Sequence, residues 1–182
     1  MPHSEFWQEY NQLGEPLKNG GRPVISGNPK DDEDSIIGIV IVIVVKKTEQ
    51  GLMLLWQERS PHVDNAGKWD LSAGGHVDYG ETILQAARRE AEEEIGLKVK
   101  DERLYYAFSI AQNVRRHCWT FIYDYSDLAD DFNFNDKEVS AVKWVPYKDT
   151  PTFLKNYCKE HVAKDTLYFE ALKGWLRLHG YC

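Results

Sequence analysis

The sequence predicts an α/β (α+β) fold in which a mixed β-sheet is flanked by helices, with further helices at the C-terminal end. Two observations carry this prediction. Strand-length apolar runs and helix-period patterns are interspersed without the regular βα alternation of a purely parallel sheet. The chain, at 182 residues, is also long enough to bury a full core without disulfides or a structural metal.

Taken in order, residues 1–34 read as an N-terminal arm packing on a domain that spans 35–182. Within the arm, Gly14–Lys30 is rich in Gly, Pro and Asn and reads as irregular, and Asp31–Asp34 as a solvated loop. Trp7 and Tyr10 are the residues that would pack the arm onto the sheet. Ile36–Lys46 is the first long strand. Its core, Ile36–Val45, is too short for the ~20 residues of a membrane span and is almost entirely β-branched, which favours a buried strand. Gln50-Gly51 turns the chain into Leu52–Glu58, a hairpin partner. Pro61–Gly67 is a loop, Trp69–Ala73 a short extended stretch, and Gly74-Gly75 and Gly80 punctuate another loop.

A helix then starts at Thr82, an N-cap with Gln85 three residues on as its capping-box partner, and stops at Gly96 in the left-handed position. Strands follow near Tyr105–Gln112, Arg116–Tyr125 and Val139–Val145. Helical patterns near Thr152–Glu160 and Asp165–His179 complete the chain, with Tyr157, Tyr168, Phe169 and Trp175 expected in their core.

Composition narrows function. Lys plus Arg number 22 against 29 Asp plus Glu, a formal charge of -7. A generic nucleic-acid or anionic-membrane surface needs a basic footprint, so both are excluded as expected partners. The three cysteines, Cys118, Cys158 and Cys182, form no CxxC pair, which argues against a zinc site or redox dithiol. They read as reduced thiols of a cytoplasmic protein. Met1–Tyr10 shows no basic region followed by an apolar stretch, so no secretory signal is expected there.

The chemistry concentrates between Gly75 and Leu97. Projected at about 100° per residue with Glu90 at zero, Leu84, Ala87, Ala91 and Ile95 fall between about 60° and 140°, an apolar stripe for the core. Glu94 lies near about 40° and Glu93 near about 300°, so both share an arc with Glu90 beside that stripe, whereas Glu92 points elsewhere. Like charges at i, i+3 and i+4 repel, and partial burial makes this worse. Arg89 can neutralise Glu93, but one arginine cannot balance three acids. A hard divalent cation, Mg²⁺ or Mn²⁺, can, because it prefers carboxylate oxygen and keeps waters for a phosphate substrate. A solvated acidic face is the alternative for an isolated Glu-Glu-Glu run; the flanking glycines and the Arg-Glu pair favour the metal.

This stretch resembles the signature of the Nudix hydrolase superfamily, Gly-x5-Glu-x7-Arg-Glu-U-x-Glu-Glu-x-Gly-U, with U a bulky aliphatic residue. Gly75, Glu81, Arg89, Glu90, Glu93, Glu94, Gly96 and Leu97 match, and Ala91 departs from the pattern at the first U. That departure falls on a core contact, so it should loosen packing rather than remove chemistry. The resemblance covers Ser35–Pro146 and implies an α/β/α sandwich. It makes Glu90, Glu93 and Glu94 the metal ligands, with the Gly75 carbonyl in addition. It makes Arg89 the residue that orients the carboxylates, and Glu81 a support of the loop–helix arrangement. The implied reaction is attack of a metal-activated water on a diphosphate linkage, with Glu90, Glu93 and Arg89 as catalytic residues. A further acid from a later loop is expected as base or ligand: Glu138 first, which reads equally as a plain loop acid, and Asp136 second.

Gly67–His76, with Arg59, Ser60 and Gly14–Arg22, resembles the isopentenyl-diphosphate-isomerase-like branch of that superfamily. The isomerase cysteine would stand where this chain has Gly74, and losing an acid or base from a double-bond shift makes isomerisation an unfavoured reading. A pyrophosphohydrolase acting on a nucleoside diphosphate linked to another moiety is the expectation; isomerase activity and a non-catalytic nucleotide sensor are the alternatives. Arg59, His76 and Arg116 are the candidate substrate contacts. For His76 a structural hydrogen bond competes with that role, and for Arg115-Arg116-His117 plain strand exposure does. The expected partner is a small phosphorylated substrate; the resemblance also allows a homodimer, which the sequence itself does not specify.

Overall fold

The computed structural model describes residues 6–23, 36–113, 116–134, 137–158 and 166–182. Its organising strand is β3 (Ile36–Thr48), where the β-branched run lies. Val40, Val42 and Val44 face one apolar cluster while Ile43 and Val45 face another. A strand covered on both faces needs no polar alternation, which is why this run is continuously apolar.

Nine strands among the described residues join in one mixed sheet. β3 pairs parallel with β8 (Arg116–Asp124), from Ile37↔Arg116 to Val45↔Asp124. Its antiparallel partners are β1 (Phe6–Tyr10) at Ile36–Ile37, β6 (Ala73–His76) at Ile39–Val42, and β4 (Gly51–Arg59) at Val45–Thr48. β4 also pairs with β5 (Trp69–Leu71) and β9 (Val139–Pro146), and β7 (Leu104–Asn113) pairs with β8. Helix α1 (Ile83–Ile95) packs on one face of the sheet. Helices α2 (Thr150–Tyr157) and α3 (Thr166–Leu178) pack on the other, through Phe153, Leu154, Tyr168, Leu172 and Leu176. The result is the α/β/α sandwich expected above.

Four local readings are corrected. The stretch read as irregular contains β2 (Pro16–Pro23), paired antiparallel with β1. Its two prolines sit at the strand ends, and β2 lies at the sheet edge, where a missing N–H is tolerated. Gly74 and Gly75 lie in β6, opposite Ile41 and Val40, and not in a loop. Leu84 is exposed at 38%, because Ile83 supplies the first-turn contact to the core instead. Tyr157 is likewise exposed, while Tyr168 is buried as expected. Trp7 and Tyr10 do tie the N-terminal segment down: Trp7 stacks on His76 and Tyr10 packs against Trp119. No helix among the described residues is long and apolar enough to cross a membrane.

Candidate active site

The site is built where α1 meets β6. Thr82 caps the helix with the reciprocal capping box, its hydroxyl accepting from the Gln85 N–H while the Gln85 side chain accepts from the Thr82 N–H. At the other end Gly96 takes φ 69°, and its Cα lies so near the Asn133 backbone that a Cβ would come within 2.6 Å of the Asn133 carbonyl oxygen. Both demands select glycine.

Between these caps the buried face is Ala86, Ala87, Glu90, Ala91, Glu94 and Ile95. Glu90 and Glu94 therefore lie within the buried face itself, with Glu93 at its border. Glu94 is 3% exposed, and its Oε2 accepts from the Gly74 N–H at 2.7 Å and from Gln57 Nε2 at 3.1 Å. It thereby joins α1 to β6 and β4. Glu90 packs directly on Gly75, where a Cβ would be 2.6 Å from the Glu90 carboxyl carbon. Glycine at 75 is thus a requirement of close approach.

Arg89 connects the rest. Its Nε and Nη2 fork onto the two Glu81 carboxylate oxygens at 3.0 Å each, and Nη2 also donates to the His76 carbonyl at 2.9 Å. Nη1 donates to Glu90 at 2.7 Å and to Glu93 at 3.2 Å. Burial opposes the guanidinium charge, but the bonds to Glu81 and Glu90 outweigh it and hold Arg89 above its ordinary range. Glu81 accepts from the Asp78 N–H as well, fixing the turn before the helix.

Glu94 is in a different position. Its hydrogen bonds come from neutral donors, and burial, then the nearby Glu90 charge, push it well above the usual carboxylate range; Asp70 adds to this. A buried carboxylate beside another, without a cationic partner, is costly. Among the described residues no three acidic or imidazole side chains already converge as a metal cage, since Arg89 draws Glu90 and Glu93 towards itself. The donor set nevertheless fits a hard divalent cation: the oxygens are carboxylate, and among the described residues Glu94 has no counter-charge and the buried Gln57 Oε1 no partner.

The structure brings Arg89, Glu90, Glu93, Glu94, Gly75 and Glu81 together where α1 meets β6. His76 is half-buried; its main-chain carbonyl holds Arg89 and its ring lies flat on Trp7, centroids 3.8 Å apart at 8°. Burial, then the Arg116 and Arg89 charges, lower its pKa to about 4. His76 thus makes a structural hydrogen bond through its carbonyl and adds a ring stack to it. Arg116 opens β8 opposite Ile37, within electrostatic range of that ring. Arg59 ends β4, opposite Val139, and donates to the Asp64 carbonyl at 2.7 Å. The Glu138 backbone is tied to the same end of β4 through the Ser60 N–H, and its side chain is exposed. Asp136 and Arg115 lie outside the described residues.

Sequence reasoning missed Gln57, Asp70 and the place of Trp7 against His76. Gln57 had one readable signal, a polar residue directly after the apolar run Leu52–Trp56. Asp70 and Trp7 had none, since only the sheet pairing brings β5 and β1 to the motif.

Comparison with known proteins gives one family. The model of the NUDIX domain matches residues 36–165. Nudix hydrolase 3 of Arabidopsis thaliana is 32% identical over 81% of this chain and 21% of its own length. Across the first curated relatives the chain spans between about a fifth and three-fifths of their length. Among solved structures, DR0079 from Deinococcus radiodurans superposes with a TM-score of 0.68 at 24% identity, over 88% of this chain and 96% of that one. A Caenorhabditis elegans Ap4A hydrolase in a binary complex gives 0.56 at 19%, over 80% and 98%. At these identities the structural likenesses establish the fold alone.

Proposed function

The chain belongs to the NUDIX domain family, and from that premise we propose that it is a divalent-metal-dependent pyrophosphohydrolase. The bond it cleaves is a diphosphate linkage in a nucleoside diphosphate joined to another moiety. The observation that carries this reading is Glu94, buried against Glu90 with only neutral donors for partners. A nucleotide-linked substrate agrees with the activity for which the Ap4A hydrolase that shares the fold is named.

Glu90, Glu93, Glu94 and the Gly75 carbonyl would hold Mg²⁺ or Mn²⁺. When bound, the cation would neutralise phosphate oxygens and lower the pKa of a water. The chain's own residues supply the rest. Arg89 fixes Glu90 and Glu93 through Nη1 and locks β6 to α1 through Glu81 and the His76 carbonyl. Glu138, carried on the backbone bonded to Ser60, takes the proton of the attacking water. Arg59 and Arg116 meet substrate phosphates, for which guanidinium forks are suited. His76, backed by Trp7, forms an aromatic wall beside Gly75.

Gly67–His76 supports placing the chain in the isopentenyl-diphosphate-isomerase-like branch by descent. It does not support the isomerase reaction. A Cβ at Gly74 would lie 2.7 Å from the Val40 carbonyl oxygen, so the required cysteine could enter only by displacing β3. Cys118 and Cys158 are in the cluster on the opposite face, and burial pushes the Cys158 thiol up to about 12.

The test is Glu93→Gln, assayed with Mg²⁺ or Mn²⁺ on nucleotide sugars, ADP-ribose, dinucleoside polyphosphates, modified nucleoside triphosphates and prenyl diphosphates. Turnover of the best substrate should fall by more than about 100-fold, beyond the range typical of residues outside a coordination sphere, with folding retained. Unchanged turnover would sink the ligand assignment; absence of any phosphomonoester product from the native chain would favour a sensor.

A further inference from the structure

We infer that Gln57 is a positioning residue for the cation site, holding Glu94 with its amide nitrogen and offering its amide oxygen to the hydration shell of the bound cation. The inference rests on the metal-dependent reading above and extends it to a residue outside the helix motif.

The argument begins with strand alternation. In β4, Leu55 faces the α1 side and Trp56 the side of α2 and α3, so Gln57 returns to the α1 side. There it is 3% exposed. A Met or Leu would fill that position with no polar group to satisfy. Burying an amide with one end unpaired is costly. The Gln57 Nε2 donates to Glu94 Oε2 at 3.1 Å, and a carboxylate only accepts, so the amide nitrogen must face it. That fixes the direction of Oε1, which is buried and has no hydrogen-bond partner among the described residues.

The Gly74 N–H binds the same Glu94 oxygen at 2.7 Å. Two donors hold Oε2 and, among the described residues, none holds Oε1 of Glu94. One neutral amide therefore orients a ligand oxygen and presents an acceptor beside it. Mg²⁺ and Mn²⁺ sites keep several waters, whose hydrogens need such acceptors. Partners of this kind typically contribute 10–100-fold to metal affinity.

The experiment is direct Mn²⁺ binding, read from the electron paramagnetic resonance of free Mn²⁺. It compares the native chain with Gln57→Met, which keeps length and removes both polar ends. Thermal unfolding confirms that each protein is folded. The expected result is Mn²⁺ affinity weakened roughly 10–100-fold in the variant, with KM for the best diphosphate unchanged at saturating Mn²⁺. Gln57→Asn, which keeps the amide but shortens it, should weaken Mn²⁺ binding as well and serves if the Met variant fails to fold. Native and variant proteins binding Mn²⁺ within twofold of each other would overturn the inference and leave the metal site standing. A native chain that binds no Mn²⁺ would overturn the metal reading itself.

Discussion

Gly75 and Glu90 are matched in a way that a single methyl group would undo. A Cβ at 75 would press on the Glu90 carboxylate carbon and both its oxygens. Gly75→Ala should displace that carboxylate at a cost of about 1–3 kcal/mol, the range for overpacking a filled site. Mn²⁺ titration should show a corresponding loss of affinity; a variant with native affinity would mean that Glu90 is not a ligand. His76 gives a second residue-scale prediction. In the unfolded chain its imidazole takes a proton below about 6.5, but in the fold only near about 4. Between those values the unfolded state binds more protons, so stability falls as pH falls, by up to ~3 kcal/mol. Urea unfolding in EDTA from pH 7.5 to 4.5 should show the native protein losing about 2 kcal/mol more than His76→Gln. A parallel decline in both would assign the pH dependence to other groups. At this scale the clustering of Glu90, Glu93 and Glu94 was legible, because their repulsion is encoded in local spacing. Gln57, Asp70 and Trp7 were not, because their relation to the motif exists only once the sheet has formed.

At the scale of elements, α1 is the best-specified piece of the chain. Its Thr82–Gln85 capping box and its Gly96 stop are both local hydrogen-bonding devices, and both were readable as such. Thr82→Ala should cost about 1 kcal/mol; a denaturation midpoint identical to that of the native protein would contradict the role of the cap. The helix projection erred in one instructive respect. It set the acids beside the apolar stripe, yet Glu90 and Glu94 lie inside the buried arc and Leu84 outside it. A hydrophobicity pattern assigns carboxylates to solvent by default, and here the Gly74 N–H, Gln57 and Arg89 hold two of them in the interior. β2 escaped the reading for a related reason. Its Pro and Gly content signals irregular chain, but an edge strand needs only one hydrogen-bonding side, which β1 provides.

The whole molecule is a two-faced sheet with unlike duties on its faces. One side carries α1 and the carboxylates; the other buries Tyr168, Leu172 and Leu176 of α3 against Ile43, Leu54 and Ile122. Leu172 is fully buried, so Leu172→Ala should cost about 2–5 kcal/mol and lower the thermal midpoint while leaving Mn²⁺ affinity unchanged. A shift in that affinity would show the two faces to be coupled. The net charge of -7 acquires a location at this scale. Part of the acidic surplus is gathered where α1 meets β6, and a bound cation there would reverse the local sign and admit an anionic diphosphate. The most direct test of that account is hydrolysis of the best substrate in ¹⁸O-labelled water, with Mg²⁺ and with EDTA. The account predicts label in one phosphate-containing product, formed only when Mg²⁺ is present. Undiminished turnover in EDTA, or Mg²⁺-dependent products carrying no label on phosphorus, would contradict it.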